Sequence, residues 1–294
     1  MKGSRLVAAL PVLLSLLLPG LLGSCRFVRP LQKAGPGAAP PEMVKPGVLQ
    51  EAAARGDLAR VRELAETDPQ LLEMVDEDGW DALSYAAWHA QDRVHAYLLQ
   101  QGAVGNLFTE AALGPWESFH QRLETNPIGI ASRDTKQKAT PLIWAVRTGN
   151  QAGCELLLSL GADVAAADRD GNTVLHHAVL MDHLELIDFL LYARADVDGT
   201  NKLGQTALHL AASGSGYDAC RLLLEKGASL NLSDGAGNTP LHIAAQRGDF
   251  ELCEYFLFLG ASTGFVNKRR LTALDLAAEQ GHDRVARLLE AQTR

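Results

Sequence analysis

The chain has 294 residues, of which 47% are hydrophobic and only 6% aromatic, and its 27 Lys and Arg against 35 Asp and Glu give a formal net charge of −8. An acidic balance argues against a general nucleic-acid binder, which needs a basic face to displace phosphate counterions. The length suits one large core or an array of repeats.

Residues 1–24 read as an export signal. Met1–Arg5 carries Lys2 and Arg5, and Leu6–Leu22 has no charged residue, the n-region and h-region of a secretory signal. A membrane-spanning helix is the rival reading. It needs about 20 apolar residues, and this run is shorter and broken by Pro11, Pro19 and Gly20. Arg26 and Arg29 beyond it blur any positive-inside asymmetry. Leu22-Gly23-Ser24-Cys25 resembles the bacterial lipobox. That resemblance implies cleavage before Cys25, a diacylglycerol on its sulfur and membrane attachment; the alternative is an ordinary cleavage site with an incidental cysteine. Each buried CH₂ contributes about 0.8 kcal/mol, so two or more acyl chains hold a protein stably at a bilayer. Loss of Lys2 and Arg5 with the signal leaves a net charge of about −10. By the sorting rule of enterobacterial lipoproteins, Arg26 after the cysteine implies an outer-membrane lipoprotein facing the periplasm. From residue 25 to 47 the chain holds Pro30, Pro36, Pro40, Pro41 and Pro46 with Gly35, Gly37 and Gly47. Such a composition buries no core and suits an extended tether.

From residue 48 to 294 the chain repeats. Thr140, Thr173, Thr206, Thr239 and Thr272 lie 33 residues apart, each followed two positions later by Leu142, Leu175, Leu208, Leu241 or Leu274. Thr239 caps a helix that Pro240 opens, Ala244 and Ala245 let first helices approach, and Gly248 ends that short helix in a left-handed conformation. A second helix follows in each unit, with apolar triplets such as Leu156–Leu158 and Leu222–Leu224 toward the neighbouring repeats. The same frame extends to starts near 47, 81 and 106. The interval from 81 to 140 is seven residues short of two periods, which places a deleted turn in Gln100–Asn106. Eight units are expected, starting near 47, 81, 106, 140, 173, 206, 239 and 272, the last with a polar closing helix as a capping repeat requires. Glu124–Pro127 echoes Glu66–Pro69, so the units at 47 and 106 should end alike.

The period of 33 and the stretch Gly237–Ser262, with its T-P-L-H-x-A-A opening, resemble the ankyrin repeat. The resemblance implies an all-α solenoid of stacked helix-turn-helix units with short projecting β-turns. Lys138, Arg194 and Arg270 stand where the pattern has glycine and should carry strained turns. In that family the histidine at the position of His176, His209 and His242 holds the turn. Helices packed about 8–10 Å apart also keep such side chains from sharing a zinc at about 2 Å, so no metal site is expected. Cys154, Cys220 and Cys253 share one apolar repeat position and read as small buried hydrophobes.

The sequence has no G-x-S-x-G, H-E-x-x-H or phosphate loop, so neither an enzyme nor a cofactor is expected. An array of this kind binds protein. Ankyrin contact positions, carried onto this sequence, fall on Trp80, Trp88, His89, Lys136, Arg147, Arg169, Leu180, Met181, Lys202, Leu203, Lys268 and Arg269. Trp80 and Trp88 have a second reading, as cover for the deleted turn. A monomer with a protein partner is expected, and no nucleic acid. Envelope ankyrin proteins include immunity factors that neutralise toxins and accessory factors that support periplasmic catalase. The resemblance implies a membrane-anchored module of the first kind, or a scaffold stabilising a periplasmic enzyme.

Overall fold

The computed structural model describes residues 47–114, 116–214 and 216–292. Residues 1–24, read above as an export signal, Cys25 and nearly all of the segment read as a tether lie outside them. Backbone contacts gather Val44–Arg294 into one unit.

Sixteen α-helices fill the described residues, arranged as eight pairs: α1 (Val48–Arg55) with α2 (Leu58–Thr67), α3 (Ala82–Trp88) with α4 (Asp92–Gln100), α5 (Leu107–Leu113) with α6 (Trp116–Thr125), and α7 (Pro141–Arg147) with α8 (Gln151–Ser159). Then follow α9 (Val174–Leu180) with α10 (Leu184–Tyr192), α11 (Ala207–Ser213) with α12 (Tyr217–Glu225), α13 (Pro240–Arg247) with α14 (Phe250–Phe258), and α15 (Ala273–Glu279) with α16 (Asp283–Gln292). Among the described residues there is no strand; a single bridge joins Ala167 to Thr173 in one turn.

Capping sets where each first helix begins. Gly47, Asp81, Asn106, Thr140, Thr173, Thr206, Thr239 and Thr272 are the eight N-caps. Asp81 accepts from the Ser84 N–H, and Asn106 from those of Phe108 and Thr109. Pro141 and Pro240 occupy the first helical turn, where a missing N–H costs no bond. First helices run only seven or eight residues. Isolated helices under about 12–15 residues are marginal in water, so packing holds these in place.

The packing is between neighbours. Ala86–Ala87, Ala111–Ala112, Ala211–Ala212 and Ala244–Ala245 are fully buried or nearly so, and each first helix lies on the next. In the second helices Leu157, Leu190, Leu223 and Phe256 are wholly buried while the residues flanking each are half-exposed. Each such leucine contributes about 1.5–3 kcal/mol on burial. The core falls into two clusters, one from α1 to α4 and one from Trp80 to Leu289. α16 closes the stack with Val285 and Leu289 inward and Arg284, Arg287 and Glu290 outward, the polar face of a capping repeat.

Lys138, Arg194 and Arg270 have φ of 55°, 68° and 60°, the strained turns that their missing glycines imply. Ala90 and Asp182 share that conformation, without any sequence reading having marked them. α2 and α6 do end alike. Thr67 and Thr125 each return a hydroxyl to a carbonyl one turn back, and a Pro-led 3-10 turn follows, Pro69–Leu72 or Pro127–Ala131.

Candidate partner-binding surface

Successive units are joined by projecting turns that obey one rule. An Asp or Asn accepts hydrogen bonds from the turn's own backbone: Asp168 from Asp170 and Asn172, Asn201 from Leu203 and Gln205, Asp234 from Ala236 and Asn238, Asn267 from Arg269 and Leu271. Adjacent turn tips then bond to one another, Lys202 N–H to Asp170 O, Gly235 N–H to Leu203 O and Lys268 N–H to Ala236 O, at 2.7–2.9 Å. These four acceptors recur every 33 residues, a periodicity visible in the sequence itself.

The histidines lock each turn to the next unit. His176, His209 and His242 lie with Nδ1 2.8 Å from the hydroxyls of Thr173, Thr206 and Thr239, while Nε2 donates to the carbonyls of Gln205, Asn238 and Leu271. Both ring nitrogens are thereby used inside the fold. Burial lowers the pKa of all three against the opposing effect of the carbonyl bonds, so the rings are neutral. Among the described residues no three His, Cys, Asp or Glu side chains converge as a metal site would require.

Trp80 and Trp88 need correction. Both are buried, 4% and 7% exposed, and belong to the core. The unit at 106 has no projecting turn before it, and the space that a turn would fill is taken by rings. Trp80, Trp88 and Trp144 have centroids 5.1–5.7 Å apart, with Tyr85 and Phe108 at their edges. The turns of the units at 81 and 140 therefore meet directly: Thr135 donates its hydroxyl to Asp78 O, and Lys136 Nζ lies 2.8 Å from Asp76 Oδ2.

Lys136 and Arg147, also expected at the contact surface, are half-buried struts of this junction rather than free cations. Lys136 lies over Tyr85 and Trp80; burial alone would lower its pKa, but hydrogen bonds to Asp76 and Tyr85 hold it well above the usual lysine range. Burial would raise the Asp76 pKa, but the same bonds, with the Trp80 N–H, bring it down to about 2. Arg147 stacks 4.0 Å over Trp88, donates to Trp88 O at 3.0 Å and touches His177 Nδ1 at 3.2 Å. His177 in turn holds Asp168 through Nε2 at 2.9 Å, a buried pair with both His nitrogens occupied. Burial pulls the Arg147 pKa down to about 10.

The other expected contact residues stand at the surface. His89, Arg169, Lys202 and Lys268 are exposed, Leu180 and Leu203 are 51% and 67% exposed, and Met181 is half-exposed. Arg269 is exposed too but chelated by both oxygens of Glu279 at 3.0 Å. Leu210 and Ile243 on the first helices are half-exposed as well and were not anticipated. Their signal was their place four residues after the cap, where helices α7 and α9 carry Trp144 and His177. Exposed or half-exposed apolar side chains thus stand at the end of α9 (Leu180, Met181), within α11 and α13 (Leu210, Ile243) and on a turn (Leu203), with Arg169, Lys202 and Lys268 on the turns.

A family model for ankyrin repeats matches residues 120–201, 165–234, 184–267 and 231–293, more than half of the chain. The chain belongs to the ankyrin repeat family. Its repeats are 30% identical over 155 residues to the target of rapamycin complex 2 subunit AVO2 of Saccharomyces cerevisiae, covering 49% of this chain and 36% of that protein. They are 50% identical over 48 residues to a Gallus gallus Arf-GAP with coiled-coil, ANK repeat and PH domains, 16% of this chain and 6% of that one. A Caenorhabditis elegans homologue of transient receptor potential cation channel subfamily A member 1 is 28% identical over 169 residues, 58% of this chain and 12% of the channel. The chain thus spans about a third or less of these relatives. As an ankyrin stack it is a protein-binding module. Among the described residues no helix is long and apolar enough to cross a membrane.

Proposed function

We propose that the chain is a lipid-anchored module of the bacterial envelope that captures an acidic protein through its turns and first helices, and that it serves as an immunity factor neutralising a toxin. One observation carries the binding half: the side chains of Leu180, Met181 and Leu203 are exposed or half-exposed, as are those of the cations Arg169, Lys202 and Lys268, which the turns hold by their backbone alone. Burying three such apolar side chains supplies affinity, and cations on the turns select an acidic partner and speed encounter. The envelope half rests on the sequence Leu22–Cys25 and its lipobox resemblance.

Two experiments test the halves separately. Cys25→Ala should release the protein from membranes or leave its precursor uncut; a variant of mature size that still fractionates with membrane removes the anchor. For the partner, the gene neighbouring this one would be expressed, its product tested for toxicity and titrated against the purified chain. The reading requires loss of toxin activity on binding, and weaker binding by the Leu203→Ala and Arg169→Glu variants. A bound partner whose activity rises instead makes the chain an accessory factor, and a neighbour that does not bind removes immunity.

A further inference from the structure

The second helices carry a shallow hollow of about 590 Å³ between α12 and α14, lined by Tyr217, Glu251, Glu254, Tyr255 and Phe258. The Tyr217 and Tyr255 ring centroids are 5.4 Å apart and tilted by 48°. Phe258 is 84% exposed and Tyr217 39%, an aromatic surface that the fold itself leaves in water. Neither Glu251 nor Glu254 is ion-paired among the described residues, whereas the nearby Arg221 is held by Asp218 and Glu225 on its own helix.

The repeat shows what is absent from the hollow. Phe250 opens α14 as Tyr217 opens α12, one period apart. On Phe250 lies the guanidinium of Arg284, 3.9 Å from the ring centroid, supplied by the following unit. One period before Arg284 stands Glu251, so against Tyr217 the following unit sets a carboxylate where the next ring receives a cation.

We propose that this hollow is a subsite for an arginine side chain of a partner protein, stacked on Tyr217 and Tyr255 and hydrogen-bonded by Glu251 and Glu254. Aromatic faces attract cations held within about 6 Å. A planar guanidinium stacks while its edge donates to two carboxylates; a quaternary ammonium has no donor to give, and a lysine ammonium stacks less well. The hollow is open, so a free small cation would leave Phe258 in water, whereas the backbone flanking an arginine would cover it. The surface belongs to the second helices and not to the turns, so its failure would leave the proposed function standing, and the reverse also holds.

The test uses the purified chain, its Tyr and Phe rings ¹³C-labelled, titrated with the capped tripeptide Gly-Arg-Gly, its citrulline counterpart and tetramethylammonium. For so small a ligand a dissociation constant on the order of 10 mM is expected. The arginine peptide should shift the Tyr217, Tyr255 and Phe258 resonances saturably and the neutral citrulline peptide should not. Glu251→Gln with Glu254→Gln should weaken binding by roughly three-fold or more, and Phe258→Ala, at an exposed position, should weaken it without loss of folding. No saturable shift, equal shifts from citrulline, tighter binding of tetramethylammonium, or unchanged affinity in the double Gln variant would each overturn the proposal.

Discussion

Trp88 and Leu203 occupy equivalent interest in the sequence, one a large aromatic and one an aliphatic at ankyrin contact positions, yet the fold uses them in opposite ways. Trp88 is packed between Trp80, Trp144 and the Arg147 guanidinium. Trp88→Ala should therefore cost about 3–5 kcal/mol of stability, read from urea unfolding, because a buried indole leaves a cavity that its neighbours only partly fill. A loss below about 1 kcal/mol would mean that the rings do not form the joint described. Leu203→Ala should stay within about 0.5 kcal/mol of wild type in the same measurement, as surface changes do, while weakening partner binding. The three thiols behave as core. Cys154, Cys220 and Cys253 are free and fully buried, and burial pushes each pKa up to about 12. Native protein should react with a thiol reagent only as fast as it unfolds; rapid labelling without denaturant would contradict their burial.

At the scale of the element, the turns hold both strain and a pH dependence. Lys138, Arg194 and Arg270 sit at positive φ, where a Cβ costs about 1–2 kcal/mol, partly offset on replacement by the entropy that glycine loses. Arg194→Gly, at an exposed site, should raise stability by about 0.5–1 kcal/mol, and a lower melting temperature would count against the strain. The histidines His95, His176, His177, His209 and His242 all have depressed pKa values, chiefly from burial, with His95 down to about 4. The unfolded chain protonates them near pH 6.5 while the folded chain resists. Their contribution is fully present above about pH 6.5 and is lost as the pH falls toward the folded values. The urea midpoint should drop between pH 7.5 and pH 5; a midpoint that holds or rises over that interval would mean that burial does not keep these rings neutral.

At the scale of the molecule, the row of cationic turn tips on a chain of net charge −8 makes a sign-specific prediction. Arg169→Glu with Lys202→Glu and Lys268→Glu should slow association with an acidic partner and weaken the salt dependence of its rate, with stability little changed. An association rate that is unaltered would place recognition elsewhere, on the second helices or outside the described residues. What the sequence alone determined is everything that one repeat decides for itself: Thr caps, first-turn prolines, alanine pairs and the 33-residue period specify a helix pair and its stacking partner, since each unit contacts only its neighbours. The strained Lys138, Arg194 and Arg270 were legible for the same reason, as departures from a local rule. The tertiary structure decided what happens where the period breaks. Removing seven residues before the unit at 106 brings the turns at 76–80 and 134–138 together, in contacts between residues 57 and 60 apart in the chain. No local pattern states whether the indoles of Trp80 and Trp88 then point into that joint or out of it. The answer comes from the void that a missing turn leaves, which the largest side chains nearby fill at the greatest gain in buried apolar area.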